Sequence, residues 1–303
     1  MPQAIGLAVL AGLISSILFL SLSSGLPGMV LLAYFVQLPL LFVGLSLGLA
    51  ASMIAVIGAI VVCGLLAGLV GAGMYLVVQA IPAMVVIRQT LLARQRDGRL
   101  EWYPAGLVLA QLTALAALGI SAAFVFMLGQ PGGLEGAIAD FLRSALAELG
   151  AAEAEVTVEP ELGRWMFVLP GLMAASWLVM VVINGVLAQA LAVHLGWNRR
   201  PSPALSELEL PGWLWPTIGV AAALAVIGDG GVGFLGRALL IVLVVPYVFL
   251  GLAVIHAAAR RSPHRRLALA ICYGAIALLG WPVLAVLLLG FVENWAHVRQ
   301  RFL

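Results

Sequence analysis

The length of its uncharged apolar runs restricts this chain more than any other feature. Hydrocarbon offers no water to unpaired peptide groups, so a helix that crosses a bilayer needs about 20 mostly apolar residues. Nine runs at or near that length stand out: Ile5 to Leu22, Met29 to Val43, Leu47 to Leu65, Leu69 to Ile87, Pro104 to Leu128, Trp165 to Leu191, Trp213 to Ile227, Phe234 to Ala257 and Leu267 to Phe291. The expected fold class is all-α: a polytopic integral membrane protein of about nine transmembrane helices plus one amphipathic extracytoplasmic helix. The first run lacks the basic leader of a signal peptide, so it reads as a retained helix.

Composition agrees. The chain is 64% apolar and 9% charged, where soluble domains carry roughly a quarter charged residues. That excludes a nucleic-acid binder, a disordered chain, a disulfide-stapled secreted module and a cytosolic enzyme with one large core. Cys63 and Cys272 fall inside apolar runs, where a thiol behaves as a small hydrophobe. No disulfide, metal centre or cofactor is expected from them.

Arginines set the expected orientation, because cytoplasmic loops collect basic residues. All 15 basic residues are arginine. Arg88, Arg94, Arg96 and Arg99 lie between runs four and five, Arg199 and Arg200 between six and seven, and Arg260, Arg261, Arg265 and Arg266 between eight and nine. Alternation then puts the N-terminus in the cytoplasm of a bacterial cell, with the protein in the inner membrane. Gln130 to Gly163 falls outside and is rich in carboxylates, against the single Arg143.

Three regions follow in sequence: 1–128, an N-terminal five-helix transmembrane region; 129–163, an acidic extracytoplasmic segment with the amphipathic helix; and 164–303, a C-terminal transmembrane region. In the outer segment Leu134, Ile138, Phe141, Leu142, Ala145 and Leu149 recur at helical spacing, with Gly150 as the C-cap. Val156 and Val158 fit a short strand or a loop. The ninth run is expected as one span kinked at Pro282, since each arm of a hairpin there would have only about 14 residues, about 21 Å of helix.

Buried polar groups in lipid mark helix contacts or a site. The candidates are Gln37, Gln79, Gln111, Asn184 and Gln189. None is ionisable, which argues against a proton relay. Tyr34, Gln37 and Pro39 echo Tyr75, Gln79 and Pro82. Each proline should free the carbonyl one turn earlier, at Phe35 and Val78, and paired broken helices can point to a binding site. A ridge of small residues, Ala8, Gly12 and Ser16, suits close helix packing within the chain or docking to another membrane protein.

Other features carry less. The G-x-S-x-G at Gly44, Ser46 and Gly48 lacks a strand-to-helix elbow, and the G-x-G-x-x-G at Gly231, Gly233 and Gly236 lacks a preceding strand. Asp229 and Arg237 suit a rim pair at an outer turn. Glu293 and His297, four apart, can share a helix face as an interfacial polar cluster, but two ligands do not make a zinc site.

The stretch from Gln37 to Gly48, the pair Ile81-Pro82 ahead of an Arg-rich loop, and Gly290-Phe-Val-Glu-Asn-Trp-Ala-His-Val-Arg299 resemble the YybS-like family of uncharacterised bacterial multi-pass membrane proteins. Asn184, Arg200-Pro-Ser-Pro203 and Leu210-Pro-Gly-Trp213 are similar to its alphaproteobacterial members. The resemblance loosely extends to the S-components of energy-coupling-factor vitamin transporters, which have fewer helices. It implies a membrane fold and supplies no functional residue.

The function expected is non-enzymatic: a membrane protein, its main partner the lipid bilayer, that binds or helps move a small organic molecule, with Gln37, Gln79, Gln111 and Asn184 lining the cavity. The alternative is a scaffold or assembly factor for envelope machinery, docking a second membrane protein through Ala8, Gly12 and Ser16.

Overall fold

The computed structural model describes residues 2–24, 27–130, 132–148 and 167–301. Gly150, Val156, Val158 and the start of the sixth apolar run lie outside the described residues. The rest is overwhelmingly helical, and by length and composition five helical stretches can cross a membrane: Pro2–Leu20, Leu49–Thr90, Ala105–Met127, Leu169–His194 and Gly230–Ala259. Contacts divide the chain into two units, Met1–Leu112 with Val179–Ala204, and Thr113–Leu178 with Leu205–Leu303. Two of the three boundaries fall inside the helices Ala105–Met127 and Leu169–His194, and the third falls in the connector before Leu205.

In the first unit α1 (Pro2–Leu20) is followed by a broken pair, α2 (Pro27–Ala33) and α3 (Leu38–Leu47). Next comes α4 (Leu49–Tyr75), a π-helical turn (Leu76–Ala80) and α5 (Ile81–Thr90). A helix of 42 residues at 1.5 Å per residue would be about 63 Å long, twice the hydrocarbon thickness. The chain does not run straight: Gly68 breaks α4 with φ 70° and ψ −173°, a conformation that suits glycine. The Ser52 hydroxyl lies 3.6 Å from the Met84 sulfur, so the arms on either side of Gly68 run antiparallel. The third and fourth apolar runs are thus two separate helical arms.

A feature the sequence reading missed follows α5. Strands β1 (Ala93–Arg96) and β2 (Arg99–Trp102) form an antiparallel hairpin. Asp97 and Gly98 both have positive φ, 50° and 75°, which is the backbone of a tight type I′ turn. The Asp-Gly pair was the available signal. The chain continues in α6 (Ala105–Met127), α7 (Gly133–Glu148) and α8 (Leu169–His194).

The second unit is built on α10 (Gly230–Ala259), preceded by α9 (Leu214–Ile227) and followed by α11 (Arg265–Leu279) and α12 (Pro282–Ala296). Gly236 packs on the backbone of Leu224 and Ala225, so α9 lies antiparallel along the first half of α10. Gly251 and Gly290 bring α12 antiparallel onto the second half, with Gly251 against the Val286 carbonyl and Gly290 against that of Tyr247. At these contacts no side chain larger than hydrogen fits.

The ninth run is broken just before Pro282: Gly280, with φ 71°, ends α11, none of whose side chains is buried, and the 15 residues of α12 pack along α10. Tyr273 of α11 sits 5.9 Å from the His256 ring near the end of α10. Arg237 does not form the expected rim pair with Asp229. Its Nε donates to the Gly233 carbonyl at 3.0 Å, and its guanidinium stacks 5.1 Å from the Phe167 ring.

Candidate functional site

The site begins with two prolines. Pro39 and Pro82 have no N–H to give the preceding turn. Around Pro39 the chain leaves α-helical pairing altogether: Tyr34, Phe35 and Val36 donate three residues back, and the Leu38 N–H turns to the Phe35 carbonyl at 3.1 Å. Phe35, the oxygen expected to be free, is thereby satisfied. The open carbonyls are its neighbours. Tyr34 O receives the Asn184 amide at 2.6 Å, and Val36 O receives the Ser15 hydroxyl at 2.6 Å.

Around Pro82 the outcome matches the sequence argument. The helix loosens into the π turn Leu76–Ala80, and the Gln37 amide spans the Val78 and Gln79 carbonyls, 3.4 Å from each. One broken segment thus supplies the donor that the other lacks. Tyr75 completes the frame: its hydroxyl lies 2.6 Å from Ser15 Oγ. Because Ser15 spends its proton on Val36 O, Tyr75 is the donor in that pair.

Depth follows from helix length. From the break, α3 and α5 each run 10 residues to their ends, about 15 Å. From Asn184, α8 runs a similar distance to His194. These three ends lie together: Arg199 Nε donates to Ser46 O at the end of α3, and Arg200 donates to Thr90 O at the end of α5. Half of a roughly 30 Å hydrocarbon core is about 15 Å, so a bilayer face at these ends would put the broken segments at mid-depth.

Gln37, Asn184 and Gln79 are 0%, 1% and 5% exposed. Their oxygens, Gln37 Oε1, Asn184 Oδ1 and Gln79 Oε1, have no hydrogen-bond partner. The pattern has a cause. For Gln37 and Asn184 the groups to be satisfied are carbonyls, so each amide must turn its NH2 toward them, and its own oxygen is left facing away. The result is a group of acceptors without donors, and no ionised group bonds to any of them.

Gln111 stands apart from the other amides. Its amide donates to the Tyr103 hydroxyl at 2.9 Å, beside the hairpin, and does not join the broken segments. Gln189 likewise serves the connector, donating to Arg200 O at 3.0 Å. Ser15 was missed, since a serine in an apolar run gives no local signal of what it binds, and Tyr75 stood out only as part of the repeat, not as a partner of Ser15. The ridge Ala8, Gly12 and Ser16 is buried against α4, with Gly12 on the Ala55 carbonyl.

The connector end has its own chemistry. Arg200 is 6% exposed, bonds the Thr90 carbonyl at 2.9 Å and those of Pro201 and Tyr103 at longer range, and lies 5.5 Å from the Trp102 ring. Burial lowers its pKa from the ordinary guanidinium value. In the second unit Glu293 does not rely on His297. His297 takes a left-handed C-cap conformation, φ 44°, which turns the chain so that Arg299 reaches back. Arg299 Nε lies 2.6 Å from Glu293 Oε1, its backbone N–H bonds Oε2 at 2.9 Å, and its guanidinium reaches Ser206 O at 3.0 Å. Trp215 packs edge-on to Phe291 and Trp295 beside it.

Residues 13–293 match the model of a family described as predicted membrane protein (DUF2232), and the chain belongs to that family. This accords with the uncharacterised multi-pass family that its motifs resemble. No curated protein and no solved structure matches the chain.

Proposed function

We propose that this member of the DUF2232 family is a non-enzymatic membrane protein that binds, or helps to move, a small organic molecule at the midplane of its first unit. The observation that carries this reading is the set of three deeply buried amide oxygens without donors, held beside two interlocking helix breaks. A buried acceptor left unpaired costs about 1–3 kcal/mol. A ligand bearing N–H or O–H groups recovers that cost, whereas an ion at this depth would lack a counter-charge. Gln37, Gln79 and Asn184 are its contacts; Ser15 and Tyr75 hold the break in place.

The resemblance to vitamin-transporter S-components suggests the panel for the test. Purified protein in lipid nanodiscs is screened for thermal stabilisation against vitamins and lipid precursors, with Gln37→Leu and Asn184→Leu as controls. A compound that stabilises the wild type and neither variant supports the reading; a compound that stabilises all three equally, or no stabilising compound at all, counts against it. The scaffold reading draws less support, because α4 already covers Ala8, Gly12 and Ser16. The same proposal places the protein in the bacterial inner membrane with its N-terminus in the cytoplasm, as the arginine pattern argues.

A further inference from the structure

The hairpin between α5 and α6 pairs like charges. Its register sets Arg94 opposite Glu101 and Arg96 opposite Arg99. Directly opposed residues share a face, so these four lie on one side, and Ala93, Gln95, Leu100 and Trp102 on the other. Arg94 Nε reaches Glu101 Oε2 at 2.7 Å, which occupies the carboxylate on that face. Arg96 has only Asp97 Oδ2 in the turn, 3.9 Å away. Among the described residues Arg99 has no hydrogen-bond or ion-pair partner.

Two guanidinium groups directly opposed across a two-stranded ribbon repel each other and destabilise it. The ribbon is nonetheless held in place. Trp102 packs under Arg200, the Arg200 guanidinium ties Thr90 O to Tyr103 O, and the Tyr103 N–H bonds Leu92 O at 2.9 Å, so both strands are fastened at their roots. The repulsion is therefore pre-organised. An anion between Arg96 and Arg99 turns it into attraction.

We infer that Arg96 and Arg99 form a clamp for a phosphate group. Opposed Cβ atoms stand about 4.5–5.5 Å apart, so two guanidinium forks can converge on one tetrahedral anion. Arginine, with paired planar donors, suits phosphate oxygens better than a point-charge ammonium does. The phosphate comes from a lipid headgroup or from a soluble phosphate ester, since the hairpin leaves α5 and enters α6 directly at their common end.

The test uses the full chain in dodecyl maltoside micelles, which carry no phosphate, in chloride buffer. One arm adds inorganic phosphate at constant ionic strength. The other dopes the micelles with phosphatidylglycerol. Thermal midpoints are read for the wild type and for the double variant R96Q/R99Q. We expect the wild type to gain a few degrees in at least one arm and the double variant to gain nothing. Without either anion source, the double variant should be at least as stable as the wild type, because the repulsion is gone. A gain confined to one arm assigns the source. No gain in either arm, an equal gain with added chloride, or a gain that survives in R96Q/R99Q overturns the inference.

Discussion

Gln37 donates its carboxamide to the main-chain oxygen of Val78, 3.4 Å away, and that oxygen is the one Pro82 leaves without its helical donor. The two residues sit on separate broken segments, 41 positions apart in the chain. Each break would be costly in hydrocarbon on its own. The first break lends the second a donor through Gln37, and the carbonyls of the first are taken by Ser15 and Asn184.

Asn184→Leu should destabilise the protein by about 0.5–1.5 kcal/mol. It removes the hydrogen bond that Asn184 gives Tyr34 O, whose typical worth is of that size, and single hydrogen bonds in membranes average nearer about 0.6 kcal/mol. Thermal unfolding in detergent reads the shift. An unchanged midpoint would mean that the break stands without α8.

Gly12→Leu should prevent the first unit from folding, because the new side chain meets the Ala55 carbonyl of α4. Gly12→Ala is the milder form, at about 1–3 kcal/mol of overpacking. Size-exclusion profiles and protease resistance report this directly. If Gly12→Leu yields a folded, monodisperse protein that has merely lost a partner, the ridge faces outward and the packing described is wrong.

Much of the scaffold was legible because lipid leaves the backbone few options. The apolar runs are helical, and Gly68 separates Leu65 from Leu69 where the third and fourth runs were divided. Gln37, Gln79 and Asn184 stand out in the sequence because an amide in an apolar run is conspicuous, and the structure buries all three. What was not legible depends on contacts that spacing does not encode. Gln111 looks like the other amides, yet Tyr103 takes it. Glu293 had an apparent i,i+4 partner in His297; only the left-handed turn at His297 reveals Arg299 as the true one. That Gly280, two residues before Pro282, ends α11 with a positive φ is not encoded by the apolar spacing.

Glu293 and Arg299 are 2% and 11% exposed, so removing either leaves a charge buried alone. Glu293→Gln or Arg299→Gln should cost about 3–5 kcal/mol, and the double variant less than the sum. Chemical unfolding of the four proteins measures the coupling. Additive losses would show that the pair contributes nothing as a pair.

Orientation is open to labelling. In a Cys63→Ala, Cys272→Ala background, Gln95→Cys in the hairpin should resist a membrane-impermeant thiol reagent in intact cells and react after permeabilisation. Ser144→Cys on α7 should react from outside. Reversal of the two patterns would invert the topology.

The donor that the first break lends the second is tested most directly by a double-mutant cycle on Gln37 and Pro82, read as unfolding free energy in one detergent. Gln37→Leu alone should destabilise by about 1–3 kcal/mol. In a Pro82→Ala background, where the restored N–H can serve Val78 O, the same substitution should cost at least about 1 kcal/mol less. Equal costs in both backgrounds would mean that Gln37 does not stand in for the missing proline donor, and the interlocked midplane site would have no physical basis.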